Sequence, residues 1–166
     1  LLFVYLLLAA QYESLLLPFA VILSLPAGIF GSYFFLQVAG IENNIYAQVA
    51  LVMLIGLLGK NAILIVEMAN QFRNEGMSAF DAAVKGAVSR LRPILMTSFA
   101  FICGLIPLVM ASGAGALGNR SIGTAAAGGM FIGTFVGIFL VPGLYLIFEL
   151  LSERLNRNKV VYDEED

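Results

Sequence analysis

Four stretches of the chain stay apolar long enough to cross a bilayer, and short polar segments divide them. They cover 15–38, 46–69, 91–111 and 123–151. Each reaches the roughly 20 predominantly apolar residues that a membrane helix needs. The first has Pro18 near its start and Pro26 inside it, and the third has Pro93 in its first turn. In the second, only Gln48, Lys60, Asn61 and Glu67 interrupt the apolar run. In lipid, only helices and closed barrels satisfy their own backbone, and no alternation over about ten residues marks barrel strands. The pattern predicts an all-α integral membrane protein, a transmembrane helix bundle.

The connections differ in character. Gln11-Tyr-Glu-Ser14 and Ala39-Gly-Ile-Glu-Asn-Asn44 read as tight polar turns. The longer segment 70–90 has Ser78 as a helix cap, with Phe80, Val84, Ala87, Val88 and Leu91 at helical spacing. That spacing predicts an amphipathic helix over 78–90, lying on the membrane surface. Segment 112–121 is Gly-rich and reads as a loop, and 152–166 as a polar tail ending in Asp-Glu-Glu-Asp166. The apolar opening, Leu1 to Ala10, is too short to span and lacks the basic start of a signal peptide. It is expected to be the end of a helix that begins upstream, in a chain that is a fragment of a larger protein. Residues 1–151 then form the membrane part and 152–166 a cytoplasmic tail.

Composition agrees with lipid as the solvent. Apolar residues make up 60% of the chain, charged residues 12%, and mean hydropathy is +0.94. Soluble domains run near 45–50% apolar and about 25% charged. A net charge of −2, without any Lys/Arg run, gives no reason to expect nucleic-acid binding. One cysteine, Cys103, and no histidine exclude a disulfide framework and most zinc or haem sites. Cys103 reads as a small packing residue.

Positive charge sets the expected orientation. Arg73, Lys85, Arg90 and Arg92 fall between the second and third spans, and Arg154, Arg157 and Lys159 follow the fourth. The opposite side has only Arg120. The positive-inside rule makes the first set cytoplasmic, and with it the C-terminus.

Lys60 carries the strongest chemical signal. An ionised side chain near the middle of a span costs about 2.5–3.5 kcal/mol on insertion scales. It is either half of a structural ion pair or a member of a proton or ion relay, and either role requires an acid. Glu67 shares its face but lies two turns away, about 10 Å, which suits an interfacial position instead. No Asp or Glu occupies the centre of the other spans, so the acid is expected in another part of the protein. Arg90 and Thr97 are seven apart and project from one face of the third helix. They are either an anchor and a self-bonded threonine, or a polar stripe facing the Lys60-Asn61 step. Ala125, Gly129, Gly133 and Gly137 form a small-residue ladder on the fourth span, matched by Ser24, Gly28 and Ser32 on the first. Such faces admit close helix packing.

Two longer motifs give the chain a family likeness: Gly56-Leu-Leu-Gly-Lys-Asn-Ala-Ile-Leu-Ile-Val-Glu67 and Arg90-Leu-Arg-Pro-Ile-Leu-Met-Thr-Ser98. With Tyr12-Glu-Ser14, Pro18, Leu25-Pro-Ala-Gly28, Gly113-Ala-Gly115, Gly128-Gly-Met130 and Phe139-Leu-Val-Pro142, they resemble the C-terminal membrane segment of resistance–nodulation–division pumps. The likeness is to the hydrophobe/amphiphile multidrug efflux branch of Gram-negative bacteria, and it covers Leu6 to about Leu150. It implies a twelve-helix transporter in the inner membrane, of which this chain is the end of helix eight and helices nine to twelve. It further implies a homotrimer, a periplasmic adaptor protein, an outer-membrane channel and a proton gradient in place of a cofactor. The relay residues of the family fall on Lys60, Arg90 and Thr97, with Asn61 beside them. The paired relay acids and the drug-binding domains belong to the missing N-terminal part. Two rivals remain: a non-transporting membrane scaffold, and a superfamily relative serving protein secretion or lipid export.

Overall fold

The computed structural model describes residues 2–12 and 17–163. Part of the Gln11–Ser14 turn, the side chains of Arg157 and Lys159, and the last three residues lie outside the described residues. Five helices follow in order: α1 Leu2–Tyr12, α2 Leu17–Val38, α3 Ile45–Asn74, α4 Ala79–Val109 and α5 Ala116–Asp163. Four of them are long and apolar enough to cross a membrane, and no strand occurs among the described residues.

Local chemistry explains where the helices begin and end. α2 closes at Gly40, whose φ of 66° suits a residue without a Cβ, and the Ile41 N–H returns to the Leu36 carbonyl. Asn44 caps α3 by accepting from the Ala47 N–H at 3.0 Å. Ser78 caps α4, accepting from the Asp81 N–H at 3.2 Å while its hydroxyl donates to the Asp81 carboxylate at 2.8 Å.

The helices are longer than the hydrophobic pattern predicts. α3 continues to Asn74, and the segment expected as a separate surface helix is the first third of α4. Pro93 does not end that helix, since membrane helices tolerate proline where other groups take up the freed carbonyls. The 79–90 stretch has two distinct faces. Ala79, Ala82, Ala83 and Gly86 are the buried side, while Phe80, Val84 and Val88 point outward. Close helix packing selects small residues here, so the large apolar positions are left for lipid or for other protein. The Gly-rich loop is shorter than expected, because α5 starts at Ala116. Beyond Leu151, α5 continues to Asp163, so the tail is helical as far as it is described.

α3 and α5 form the centre of the bundle. They touch each other and both touch α2 and α4, whereas α2 and α4 do not meet among the described residues. Three apolar clusters run along this axis. One joins Ala20 and Val21 to Ile65, Val66, Val141 and Tyr145; another gathers Leu25, Leu54, Leu58 and Met130; the third holds Leu36, Ala47, Ala50, Ala125 and Ala126.

Candidate functional site

Between α3 and α4 lies a cleft of about 270 Å³, floored by Met130 of α5. Lys60, Asn61, Arg90 and Thr97 all line it. The positions singled out by sequence therefore converge on one place, from two helices. Successive residues of a helix diverge by about 100°. Lys60 accordingly turns to the exposed side, while Asn61 is half-buried. On α4, Arg90 is half-buried and Thr97 exposed at the cleft.

The cleft is rich in donors and poor in acceptors. Arg90 Nε and Asn61 Nδ2 are buried and have no hydrogen-bonding partner among the described residues. An unmet buried donor costs about 1–3 kcal/mol, and more when the group is charged. The ion pairs among the described residues belong to Arg73 alone, so no carboxylate there pairs with Lys60 or Arg90. Glu67 is exposed and joins no ion pair among the described residues. Thr97 satisfies its own hydroxyl by donating to the carbonyls of Pro93 at 3.1 Å and Ile94 at 3.0 Å. Its lone pairs remain available as acceptors. The two sequence readings of Thr97 are thus compatible: it bonds its own helix and lines the cleft.

The small-residue ladder fixes the position of α5. A Cβ at Gly129 would meet Leu54, Ser32 Oγ at 2.7 Å and the Gly28 carbonyl at 2.9 Å. At Gly133 it would meet Leu58 at 2.6 Å and Gly28 Cα at 3.1 Å. Ala125 is fully buried, and its carbonyl accepts from Ser32 Oγ. Gly137 differs, since a Cβ there meets nothing within 4 Å. Ser32 and Gly28 of α2 therefore pack against Ala125, Gly129 and Gly133 of α5.

Several polar contacts escape sequence reading because their partners are far apart in the chain. Arg73 at the end of α3 pairs with Glu149 at 3.5 Å and with Glu153, and donates to the Met77 carbonyl at 2.7 Å. Asn44 donates to Ser121 Oγ at 2.8 Å, and Ser98 and Thr134 share a hydrogen bond of 2.9 Å between α4 and α5. No periodic signal marks such pairs.

Four apolar spans around a cation-lined cleft define a segment of a multi-pass helical membrane protein. The family follows from comparison: the chain belongs to the AcrB/AcrD/AcrF family, whose model matches residues 1–149. It is 50% identical over 141 residues to the toluene efflux pump membrane transporter TtgB of Pseudomonas putida, covering 85% of this chain and 13% of that protein. It is 44% identical over 155 residues to the multidrug resistance protein MdtF of Escherichia coli, covering 93% of this chain and 15% of that one. To the toluene efflux pump membrane transporter TtgE of Pseudomonas putida it is 43% identical over 165 residues, 99% of this chain and 16% of that protein. The chain thus spans less than one fifth of the length of these relatives.

Proposed function

We propose that the chain is the C-terminal membrane segment of a proton-driven pump that exports hydrophobic and amphiphilic compounds. The observation that carries this reading is the donor-rich cleft, where Lys60, Arg90 and Asn61 have no acid among the described residues. Two cations in a membrane bundle require carboxylates, and intramembrane ionisable groups commonly mark ion pathways. The acids come from the N-terminal part of the same protein, which the size of the relatives leaves room for. When those acids take up protons, Lys60 loses its ion-pair partners and reorients. That swap changes how α3 packs against α4 and α5 and biases distant substrate sites.

The intact protein then resides in the inner membrane with its C-terminus in the cytoplasm, as the distribution of Arg and Lys favours. It works as a homotrimer with a periplasmic adaptor and an outer-membrane channel, drawing on the proton gradient and on no resident cofactor. The names of the relatives, which describe pumps for toluene and multiple drugs, support the substrate class. The test is efflux of an amphiphilic dye from cells producing the intact protein. Efflux should stop when a protonophore collapses the gradient, and reconstituted protein should move protons inward as dye moves out. Dye efflux that continues unchanged without a proton gradient overturns the reading, as does intact protein that moves no dye.

A further inference from the structure

A second cavity lies beside the cleft and is lined by residues of all four spans. Its volume is about 20 Å³, and its lining includes Ser24 of α2, Asn61 and Ile65 of α3, Ile94 of α4, and Thr134 and Val141 of α5. Asn61 and Ile94 line the cleft as well, so they form the partition between the two spaces. A cavity needs roughly 10–15 Å³ of this kind of volume to hold one water, together with two to four polar partners. Cavities that stay empty are apolar, so the polar lining decides its content.

Three polar groups reach this cavity, and their hydrogen bonding is complementary to one water. Ser24 Oγ donates to the Val21 carbonyl at 2.6 Å, which leaves its lone pairs as acceptors. Thr134 Oγ1 shares one hydrogen bond with Ser98 and keeps a second hydrogen-bonding position. Asn61 Nδ2 is a buried donor without a partner among the described residues. The amide torsion of asparagine is broad, which lets either end of the group face the cavity.

We propose that this cavity is a binding site for a single ordered water, which accepts from Asn61 and donates to Ser24 and Thr134. The water completes three hydrogen bonds, the usual number for a buried water in a protein. It holds Asn61 in the wall of the Lys60 cleft and ties that wall to α2 and α5. The site assumes nothing about transport, so it can fail while the efflux reading stands, and the reverse.

The experiment is hydroxyl-radical footprinting by X-ray radiolysis, on the intact protein in lipid nanodiscs and ¹⁸O water. Ile65 and Ile94 are each 3% exposed and Val141 is 1% exposed, so bulk radicals do not reach them. A bound water generates the radical in place and should label all three. Leu54 and Val66, both 0% exposed and away from the cavity, should stay unlabelled. In Ser24→Ala/Thr134→Val protein the label should fall to the level of Leu54 and Val66, whereas Thr134→Ser should keep it. Wild-type label at Ile65, Ile94 and Val141 no higher than at Leu54 and Val66 overturns the proposal, and so does label that survives the double substitution. Should the double variant not accumulate, a structure of the wild-type protein that resolves ordered water decides the matter. It should show a density peak within hydrogen-bonding distance of Ser24 Oγ and Thr134 Oγ1, and a cavity without one refutes the site.

Discussion

Gly86 of α4 sits directly against the backbone of Ala69 on α3. A Cβ at Gly86 would lie 2.8 Å from both the N and the Cα of Ala69. Side chains can move aside from such a contact, but helix backbone cannot without shifting the whole helix. Arg90 follows Gly86 by one turn and lines the cleft with Lys60. This close approach of α3 and α4 therefore sets the width of the cleft just beyond it.

This makes Gly86→Ala a test of cleft geometry. The single methyl should force α4 away from α3 and destabilise the protein by about 1–3 kcal/mol, the usual cost of overpacking. Ala69→Gly should not rescue it, because that change removes only the 3.0 Å contact to Cβ and leaves both backbone contacts in place. Thermal unfolding of the intact protein in detergent measures both effects. A double variant with wild-type stability would show that the helices are not held at this distance.

The ladder on α5 yields a prediction with a built-in control. Gly129→Leu and Gly133→Leu place bulk against Gly28 of α2, so both should lower expression and thermal stability, again by about 1–3 kcal/mol or more. Gly137→Ala meets open space and should be tolerated at wild-type level. Equal outcomes at Gly133→Leu and Gly137→Ala would mean that the four-residue spacing, and not the contact with α2, governs the phenotype.

Arg73 joins α3, the turn after it and the extension of α5 through two carboxylates and one carbonyl. Its side chain is partly exposed, so Arg73→Gln should cost only about 1 kcal/mol. Arg73→Lys should not fully restore the loss, since an ammonium cannot present the forked donors that reach Glu149, Glu153 and Met77 together. The loss should shrink as salt rises, because exposed pairs are screened. Urea unfolding at low and high ionic strength reads both effects.

The spans were legible in the sequence because lipid demands long apolar runs, and Lys60 stood out because charge there is costly. The convergence of Lys60, Asn61, Arg90 and Thr97 was foreshadowed by the seven-residue spacing on one helix and by depth on the other. The continuity of α4 was not legible. Pro93 and the basic cluster around it look like a boundary, whereas α4 runs unbroken through both. The small-residue contact face of 79–90 was not legible either: hydrophobicity picks out Phe80, Val84 and Val88, which point outward, whereas two helices in lipid approach through their smallest residues. The Arg73 contacts with Glu149 and Glu153 were invisible because nothing local links a helix end to carboxylates more than seventy residues away.

Lys60 provides the decisive functional prediction. Lys60→Met retains the apolar stem and nearly the same volume while deleting the charge. Lys60 lines the cleft and not one of the apolar clusters of this chain, and production, insertion and assembly of the variant separate lost function from lost folding. On the proposed mechanism, the acids facing it lose the cation that favours their charged form and hold their protons. The cycle then stalls, so cells should lose drug resistance while the protein is produced, inserted and assembled. Lys60→Arg should also lose most activity, because a planar fork cannot occupy the place of a compact ammonium that must change partners. A purely structural cation predicts the opposite order: near-normal function with Arg, and lost assembly with Met. Resistance, proton-coupled efflux and oligomeric state measured together on the two variants separate these outcomes. Full resistance and efflux in Lys60→Met at normal expression would remove Lys60 from the proton pathway.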